Sequence, residues 1–275
     1  MFTPYLTRWQ LSPDGLAIHT FSSDLLPVRY RGQPAMLKVA RADEERHGGA
    51  LMAWWDGEGA AHVYQRDPAT GALLLERVHG QGDLTALVYD GRDDQATQIL
   101  CAVAARLHTP RRTSFPPLVD LDVWFQALTG ACPSGGGVLH EAFQTARALL
   151  DTPREVTVLH GDLHHQNVLD GEARGWLAID PKGLWGERGF DFANIFYNPD
   201  LDLARHPGRL ERQVGVVSQA ANLDPVRLLR WILAYGGLSA TWGLQDGRDG
   251  DVRKVLDVAR LAHVALGGQV DRGAT

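Results

Sequence analysis

The strongest constraint on this chain is a polar segment, His160-Gly161-Asp162-Leu163-His164-His165-Gln166-Asn167, which is followed by Ile179-Asp180-Pro181. Short stretches of strand-like character flank both segments, at 155–159, 168–169 and 176–179. The last two stretches predict a hairpin that brings Asn167 and Asp180 onto neighbouring strands. We therefore expect the charged and amide side chains of these segments to meet at the ends of short strands.

The set Asp162, Asn167 and Asp180 contains the groups that phosphoryl transfer requires. Transfer from a nucleoside triphosphate needs an aligned acceptor, a base for its hydroxyl proton and oxygen ligands that hold magnesium on the phosphates. Magnesium prefers oxygen donors, so the Asn167 carbonyl and the Asp180 carboxylate are suitable ligands. Asp162 is then expected to face the acceptor as the catalytic residue. Alone, an Asp-x-x-x-x-Asn pattern usually consists of ordinary surface residues. The preceding His-Gly pair and the second Asp at hairpin distance favour a functional site here.

These motifs resemble the aminoglycoside phosphotransferase family, in which H-G-D-x-x-x-x-N is followed by I-D-P. The stretches Ala178-Ile179-Asp180-Pro181-Lys182-Gly183 and Gly189-Phe190-Asp191-Phe192-Ala193-Asn194 look like its aminoglycoside/hydroxyurea antibiotic resistance kinase branch. The resemblance is strong over about residues 155–198 and weaker elsewhere. It implies an ATP- and magnesium-dependent phosphotransferase with an alcohol group as acceptor. The implied fold is α+β, a two-lobed protein-kinase-like fold.

The pattern along the chain agrees with two lobes. Strands are predicted at 16–21, 26–30, 35–40, 61–65 and 72–78, with Gly32-Gln33-Pro34 as a turn. A helix capped by Asp43 is predicted to run to about Trp55. Helices are predicted beyond residue 80, at 94–108, 121–129, 138–150, 210–221, 225–244 and 251–266. We predict a nucleotide-binding lobe over 1–78, an antiparallel sheet with one helix, and a larger, mainly helical catalytic and substrate-binding lobe over 79–275.

The family resemblance also assigns nucleotide contacts in the first lobe. It implies that Lys38 contacts the α- and β-phosphates and pairs with a helix carboxylate, for which Glu44 is preferred and Glu45 is the alternative. A lysine in an apolar strand supports this role, because burying a charge is costly unless it is paired or meets a ligand. The backbone from Glu76 to Val78 is expected to bond the adenine edge.

One turn departs from the protein-kinase pattern. Many kinases cover the phosphates with a Gly-x-Gly loop, whereas this chain has Phe21-Ser22-Ser23-Asp24. The hydroxyls and amides of Ser22 and Ser23 can replace glycine, but a carboxylate at Asp24 would repel phosphate. Beyond the turn, His160 and Asp191 are expected to brace the catalytic loop, Asp191 by accepting loop amides.

The acceptor is expected to be small. Only nine residues lie between Asp180 and Phe190, too few for the segment on which protein kinases dock a protein substrate. The branch resemblance implies a polar molecule such as an aminoglycoside like streptomycin, or hydroxyurea. The acid-rich stretches at 200–202 and 246–251 either attract a cationic acceptor or form solvated loops. The alternatives are a kinase for a housekeeping metabolite, an amino alcohol or sugar, and a nucleotide-binding pseudokinase module, which would have no need of Asp162.

Composition excludes several other classes. The net charge is −6 with no basic block, so a nucleic-acid partner is not expected. We expect no export signal, because residues 1–10 lack a basic stretch followed by an apolar core, and no membrane span, because apolar runs stay well short of about 18 residues. The two cysteines form no metal or disulfide pattern, which fits a reducing cytoplasm. No protein partner is implied.

Overall fold

The computed structural model describes residues 1–20, 22–41, 45–131 and 136–272, with residues 45 and 268–272 as backbone alone. A six-stranded antiparallel sheet forms from the first part of the chain, in the order β1-β3-β4-β6-β5, with β2 pairing β3. Its strands are β1 Ser12–Pro13, β2 Ile18–His19, β3 Ser23–Tyr30, β4 Gln33–Ala40, β5 Val63–Arg66 and β6 Leu73–Glu76. The antiparallel sheet that the sequence predicts is confirmed, although the strand expected at 16–21 shortens to two residues.

A two-residue turn joins β3 to β4. Tyr30 pairs with Gln33, and Arg31 and Gly32 between them both have positive φ, 49° and 80°. Two positive φ values in succession are the signature of the tight hairpin turn whose twist matches that of the strands. The predicted turn Gly32-Gln33-Pro34 was therefore wrong by one to two residues, because Gln33 and Pro34 already belong to β4.

Two helices cover opposite faces of the sheet. Strand β6 shows the division, since Leu73 and Leu75 pack with α2 (Glu45–Trp55) while Leu74 packs with α1 (Thr3–Arg8). Helix α1 was not predicted from the sequence. The predicted cap of α2, Asp43, lies outside the described residues.

The rest of the chain is mainly helical. Its helices are α3 Leu84–Tyr89, α4 Asp93–Leu107, α5 Leu121–Trp124, α6 Gln126–Ala131, α7 Val138–Asp151, α8 Phe190–Ala193, α9 Leu201–Ala204, α10 Arg209–Ala221, α11 Pro225–Gln245 and α12 Asp249–Arg272. Helix α11 is central and packs against α7, α8 and α12. The helix predicted at 121–129 is instead two short helices that meet at Phe125, whose ring is fully buried against Phe190 and Trp231. No helix in the described part of the chain is long and apolar enough to cross a bilayer.

Two small sheets hold the polar segments of the sequence. Strand β8 (Val156–Leu159) pairs antiparallel with β11 (Leu184–Glu187), and β11 pairs parallel with β7 (Val119–Asp120). The predicted hairpin is present as β9 (Val168–Asp170) and β10 (Trp176–Ala178). The polar segments are therefore the connections between short strands, as the sequence predicts.

The β9–β10 hairpin is also bonded to the chain that follows α2. Ala61 N donates to Ala178 O and Ala178 N donates to Gly59 O, both at 2.9 Å. Arg174, in the connection of the hairpin, donates to Gly57 O at 2.5 Å and to the Glu76 carboxylate at the end of β6. The large sheet and the helical region are joined here by main-chain bonds. The division into lobes at residue 78 stays a prediction.

Candidate active site

Asp191 fixes the start of the loop from His160 to Asn167 by accepting hydrogen bonds from its main chain. The main-chain amides of His160 and Gly161 donate to the two Asp191 carboxylate oxygens at 2.9 and 2.7 Å, and His108 Nε2 lies 2.8 Å from Asp191 Oδ2. Burial acts to raise the pKa of Asp191, but its bonds to His108 and the loop amides outweigh burial, and the pKa lies below its usual value. The bracing role expected for Asp191 is what its contacts show.

Gly161 and His160 each have a specific structural role in this loop. Gly161 has a φ of 84°, and a Cβ there would lie 2.8 Å from Leu184 Cδ1, so the turn before Asp162 needs glycine. The buried ring of His160 accepts from Asp162 N at Nδ1 (3.1 Å) and donates to Ile179 O from Nε2 (2.9 Å). These two bonds define a neutral tautomer, and burial lowers the pKa of His160, which keeps the ring neutral. His160 thus connects the Asp162 loop to the Asp180 segment.

The Asp162 carboxylate is fixed by two amides and stays accessible. Asn167 Nδ2 donates to Asp162 O at 2.9 Å and lies 3.3 Å from Oδ2, and Asn194 Nδ2 donates to Oδ1 at 2.8 Å. The side chain is 29% exposed. His164 Nε2 lies 3.9 Å from Asp162 Oδ1. An oriented, partly exposed carboxylate of this kind can accept a proton from a bound hydroxyl.

Asn167 and Asp180 are brought together by the β9–β10 hairpin. Ile179 N donates to Asn167 O at 2.9 Å, which places Asp180 beside the residue that precedes β9. Because Asn167 Nδ2 is bonded to a main-chain carbonyl, which only accepts, the opposite face of the amide is its carbonyl oxygen. The pair therefore offers an amide oxygen and a carboxylate, which suits the oxygen ligands that magnesium prefers.

Lys38 crosses from β4 to this pair. The side chain is 10% exposed, and its ammonium donates to Asp180 Oδ1. Glu44, the partner preferred from the sequence, lies outside the described residues, as does the side chain of Glu45. The Lys38–Asp180 bond thus joins β4 of the large sheet to the segment that follows β10.

A cavity of about 210 Å³ opens beside the Lys38–Asp180 pair, between the sheet and β9. Of the residues predicted to bind nucleotide, Lys38, Ser23, Glu76 and Val78 line it, and Ser22 does not. The carboxylate of Glu76 already accepts from Arg174 and from His62 N, and Glu76 N donates to His62 O at 2.8 Å. Apolar residues form the walls: Leu25, Met36, Met52, Leu75, Leu169 and Ile179.

Asp24, the second residue of β3, was expected to repel phosphate, but the structure pairs its charge. Its carboxylate is buried and accepts from Arg41, at 2.8 Å from Nε, and contacts His19. The bonds to Arg41 and then to His19 lower the pKa of Asp24 to about 2. The negative charge is therefore countered within the protein. Ser23 Oγ is buried beside it and has no hydrogen-bond partner among the described residues.

Sequence reasoning missed two residues that reach Asp162 from the helical region. Asn194 was noted only as part of a motif, and Tyr235, which bonds Asn194, lies on the apolar helix α11 and looks like a core residue. The acid-rich stretch 200–202 makes bonds within the protein, since Asp200 caps α9 and accepts from Tyr89, and Asp202 pairs with Lys254. The contacts of residues 200–202 favour a structural role there.

Comparisons of the sequence agree with the site. The profile of a family described as aminoglycoside/hydroxyurea antibiotic resistance kinase matches residues 8–247. A streptomycin 3''-kinase of Klebsiella pneumoniae is 53% identical over 259 residues, which are 92% of this chain and 96% of that protein. A hydroxyurea phosphotransferase of Kitasatospora aureofaciens is 34% identical, covering 88% of this chain and 72% of that protein. A streptomycin 6-kinase of Streptomyces glaucescens is 32% identical, over 88% and 81%.

Solved structures share the fold at low sequence identity. A thermostable mutant of the aminoglycoside phosphotransferase APH(4)-Ia, in a ternary complex with ADP and hygromycin B, superposes with a TM-score of 0.68 at 14% identity, covering 94% of this chain and 96% of that one. A choline/ethanolamine kinase family protein from Mesorhizobium loti gives 0.65 at 18% identity, over 96% and 90%. These likenesses confirm the kinase-like fold.

Proposed function

The chain belongs to the aminoglycoside/hydroxyurea antibiotic resistance kinase family, and from this premise we propose that it inactivates streptomycin by phosphorylating its 3''-hydroxyl with ATP and magnesium. The observation that carries the reaction is the position of Asp162, held by two amides and connected through Asn167 to the Lys38–Asp180 pair at the cavity. The acceptor is taken from the 53% identity to a streptomycin 3''-kinase across nearly the whole of both chains.

In the proposed reaction the acceptor hydroxyl lies against the Asp162 carboxylate. Asp162 accepts the hydroxyl proton as the oxygen bonds to the γ-phosphorus, and the bond from that phosphorus to the β,γ-bridging oxygen breaks, releasing ADP. Lys38 contacts the α- and β-phosphates, and the backbone from Glu76 to Val78 bonds the adenine. Magnesium, bound by Asn167 and Asp180, would neutralise charge on the phosphates. Ser23, which lines the cavity, covers the phosphates, and Glu44 is proposed to pair with Lys38.

The proposal includes the cellular setting and the charge of the acceptor. Streptomycin carries guanidinium groups, so the acceptor is cationic, and a protein with net charge −6 favours its approach. A cytoplasmic location, where ATP is supplied, fits the same reading. The choline/ethanolamine kinase likeness is one of fold alone at 18% identity, and gives no separate support to a metabolite kinase.

The test is coupled ADP release with ATP and magnesium against streptomycin, hygromycin B, hydroxyurea and choline. We expect release stimulated by streptomycin and abolished in Asp162→Ala, which should still bind nucleotide. Phosphorus NMR of the product should place the phosphate on the 3'' position. A phosphate at position 6 would correct the regiochemistry, and stimulation by hydroxyurea alone would replace the acceptor. Wild-type turnover in Asp162→Ala would remove Asp162 from the mechanism.

A further inference from the structure

A chain of side chains extends from Asp162 into the helical core. Asp162 Oδ1 accepts from Asn194 Nδ2 at 2.8 Å, and Asn194 Oδ1 accepts from the Tyr235 hydroxyl at 2.7 Å. Asn194 is 6% exposed and begins the single turn Asn194–Tyr197, while Tyr235 lies on α11. The carboxylate at the surface is thus bonded through one buried amide to the central helix.

The orientation of the Asn194 amide follows from a main-chain atom. Asn198 Nδ2 donates to Asn194 O at 2.9 Å, and because a carbonyl oxygen only accepts, the Asn198 atom in this position must be the NH2 group. The same NH2 lies 3.0 Å from the Asn194 side chain, so the Asn194 atom facing it must be the oxygen. The remaining atom of that amide, the NH2 group, then faces Asp162.

Tyr235 strengthens this orientation. Burial raises the pKa of Tyr235 well above its usual value, and the nearby Asp162 charge adds to the rise, so the hydroxyl stays protonated. The Asn194 oxygen therefore accepts from both Asn198 and Tyr235. An inverted amide would set an oxygen against the Asp162 carboxylate and an NH2 group against the NH2 group of Asn198, which two repulsive contacts disfavour.

We propose that Asn194 is a positioning residue for the transfer step, with its amide fixed by Tyr235 and Asn198, and that it holds the Asp162 carboxylate in the orientation that receives the acceptor proton. Asn167 lies 3.3 Å from the other carboxylate oxygen, so Asn194 and Asn167 together set the rotation of the carboxylate about its own axis. The inference rests on the phosphotransferase function proposed above. It concerns the rate of the chemical step and leaves the nucleotide cavity unchanged, since neither Asn194 nor Tyr235 lines it.

The variants Asn194→Ala and Tyr235→Phe separate positioning from general support of the structure. A misplaced catalytic group costs about 100-fold, so we expect Asn194→Ala to lower kcat for streptomycin-dependent ADP release about 100-fold with KM for ATP within about twofold. Tyr235→Phe should lower kcat by a smaller factor, roughly 10-fold. The effect of Tyr235→Phe should vanish when Asn194 is already alanine, because Tyr235 acts through that amide.

Tyr197→Phe is the matched control. Its hydroxyl is also buried and donates to Ile232 O at 2.8 Å, and its ring lies 5.2 Å from that of Tyr235, but it does not bond Asn194. We expect Tyr197→Phe to lower stability and leave kcat unchanged. Equal kcat losses in Tyr197→Phe and Tyr235→Phe, or additive losses in the Asn194→Ala background, would overturn the proposal.

A crystal structure of Asn194→Ala gives a readout that needs no substrate. The Asp162 carboxylate should leave the orientation it has beside Asn194 in this variant and keep it in Tyr197→Phe. The same orientation in both variants overturns the inference, whatever the acceptor proves to be. Absence of streptomycin-dependent release from the wild type, by contrast, counts against the proposed function alone.

Discussion

The site residues are oriented mainly by bonds to main-chain atoms. Asp191 accepts two loop amides, His160 bonds Asp162 N and Ile179 O, and Asn167 donates to Asp162 O. Main-chain partners move little compared with long side chains, so each functional group has few alternative positions. The loss of one brace should therefore be felt in stability as well as in turnover.

Asp191→Ala tests the brace of the catalytic loop. It removes the acceptor of two buried amides and the partner of His108, and losing one partner of a buried pair costs about 3–5 kcal/mol. We expect the free energy of unfolding in urea to fall by about that amount. Asp202→Ala is the control, because Asp202 is 66% exposed in its pairs with Arg205 and Lys254 and exposed pairs contribute about 0–1 kcal/mol each. Similar losses in both variants would contradict the role given to Asp191.

The Asp24–Arg41 pair makes a prediction about pH. Because Arg41 and His19 hold the pKa of Asp24 at about 2, below its ordinary value of 3.8, the stabilisation is fully present above about pH 4 and is lost as the pH falls toward 2. Urea midpoints of wild type and Arg41→Gln should differ by a constant amount from pH 7 to 5, and the difference should shrink from pH 4 to 2. A difference that persists at pH 2 would assign the effect to packing of the Arg41 side chain.

The proximity of Asp162 and Asn167 could be expected from the sequence, because the two residues are near in the chain. Asp162 and Asn167 are bonded across five residues, so their spacing alone indicates a shared site. Asn194 is 32 residues from Asp162, and Tyr235 a further 41 from Asn194, contacts that only the tertiary packing of α11 creates. Ser22 and Ser23 were equivalent in the sequence, and the pairing of Ser23 with Ala40 in the sheet decides which of them meets the cavity.

At the scale of elements, α2 depends on a very close contact with the Asp180 segment. A Cβ on Gly48 would lie 1.8 Å from Pro181 O, and one on Gly183 would lie 2.8 Å from the carbonyl carbon of His47. The same helix stacks Trp55 on the His160 ring, with centroids 6.3 Å apart. Helix α2 therefore follows β4 in the chain and packs on the large sheet, but it also contacts the active-site loops at both of its ends.

Gly48→Ala should separate α2 from the Asp180 segment. The overlap with Pro181 O cannot be relieved by a side-chain rotation, so we expect a loss of about 1–3 kcal/mol in unfolding free energy, as for other overpacked sites, and weaker nucleotide binding. Gly215→Ala in α10, where nothing lies within 4 Å, should instead stabilise by about 0.5–1 kcal/mol. Urea unfolding and nucleotide titration measure both, and an unchanged affinity in Gly48→Ala would show that α2 does not set the position of Asp180.

Element prediction succeeded where a long apolar face exists. Helices α7, α10 and α11 begin and end within about one residue of the predicted bounds, because their buried stripes repeat over three turns or more. Strands β7 and β11 were missed, since two and four residues carry no periodicity and their order is fixed only by pairing with each other and with β8. The break between α5 and α6 was missed for a similar reason, because it depends on where Phe125 is buried.

At the scale of the whole molecule, the Lys38–Asp180 bond crosses from the sheet to the β9–β10 segment, and the same groups are proposed to bind nucleotide and magnesium. We expect ATP with magnesium, at about 100 times its Kd, to stabilise the wild type by about 2.7 kcal/mol. In Asp180→Asn the gain should fall and become independent of magnesium, whereas Asp162→Asn should keep the wild-type gain. Thermal shifts with and without magnesium measure this, and unchanged magnesium dependence in Asp180→Asn would remove Asp180 as a ligand.

The main-chain bonds between Ala178 and residues 59–61, together with the side-chain bonds of Arg174 to Glu76 and Gly57 O, affect how ADP leaves the site. They lie near Glu76, which pairs with Ala35 at one end of β4, whereas Ser23 pairs with Ala40 at the other end. Five residues of strand put these ends roughly 16 Å apart. The cleft is thus held by main-chain bonds where the adenine is proposed to lie, whereas the Lys38–Asp180 side-chain bond crosses it nearer the phosphate end. We expect the diphosphate end of bound ADP to separate from the protein before the adenine does. If product release limits turnover, kcat should then respond to changes near Ser23 and hardly at all to changes near Glu76.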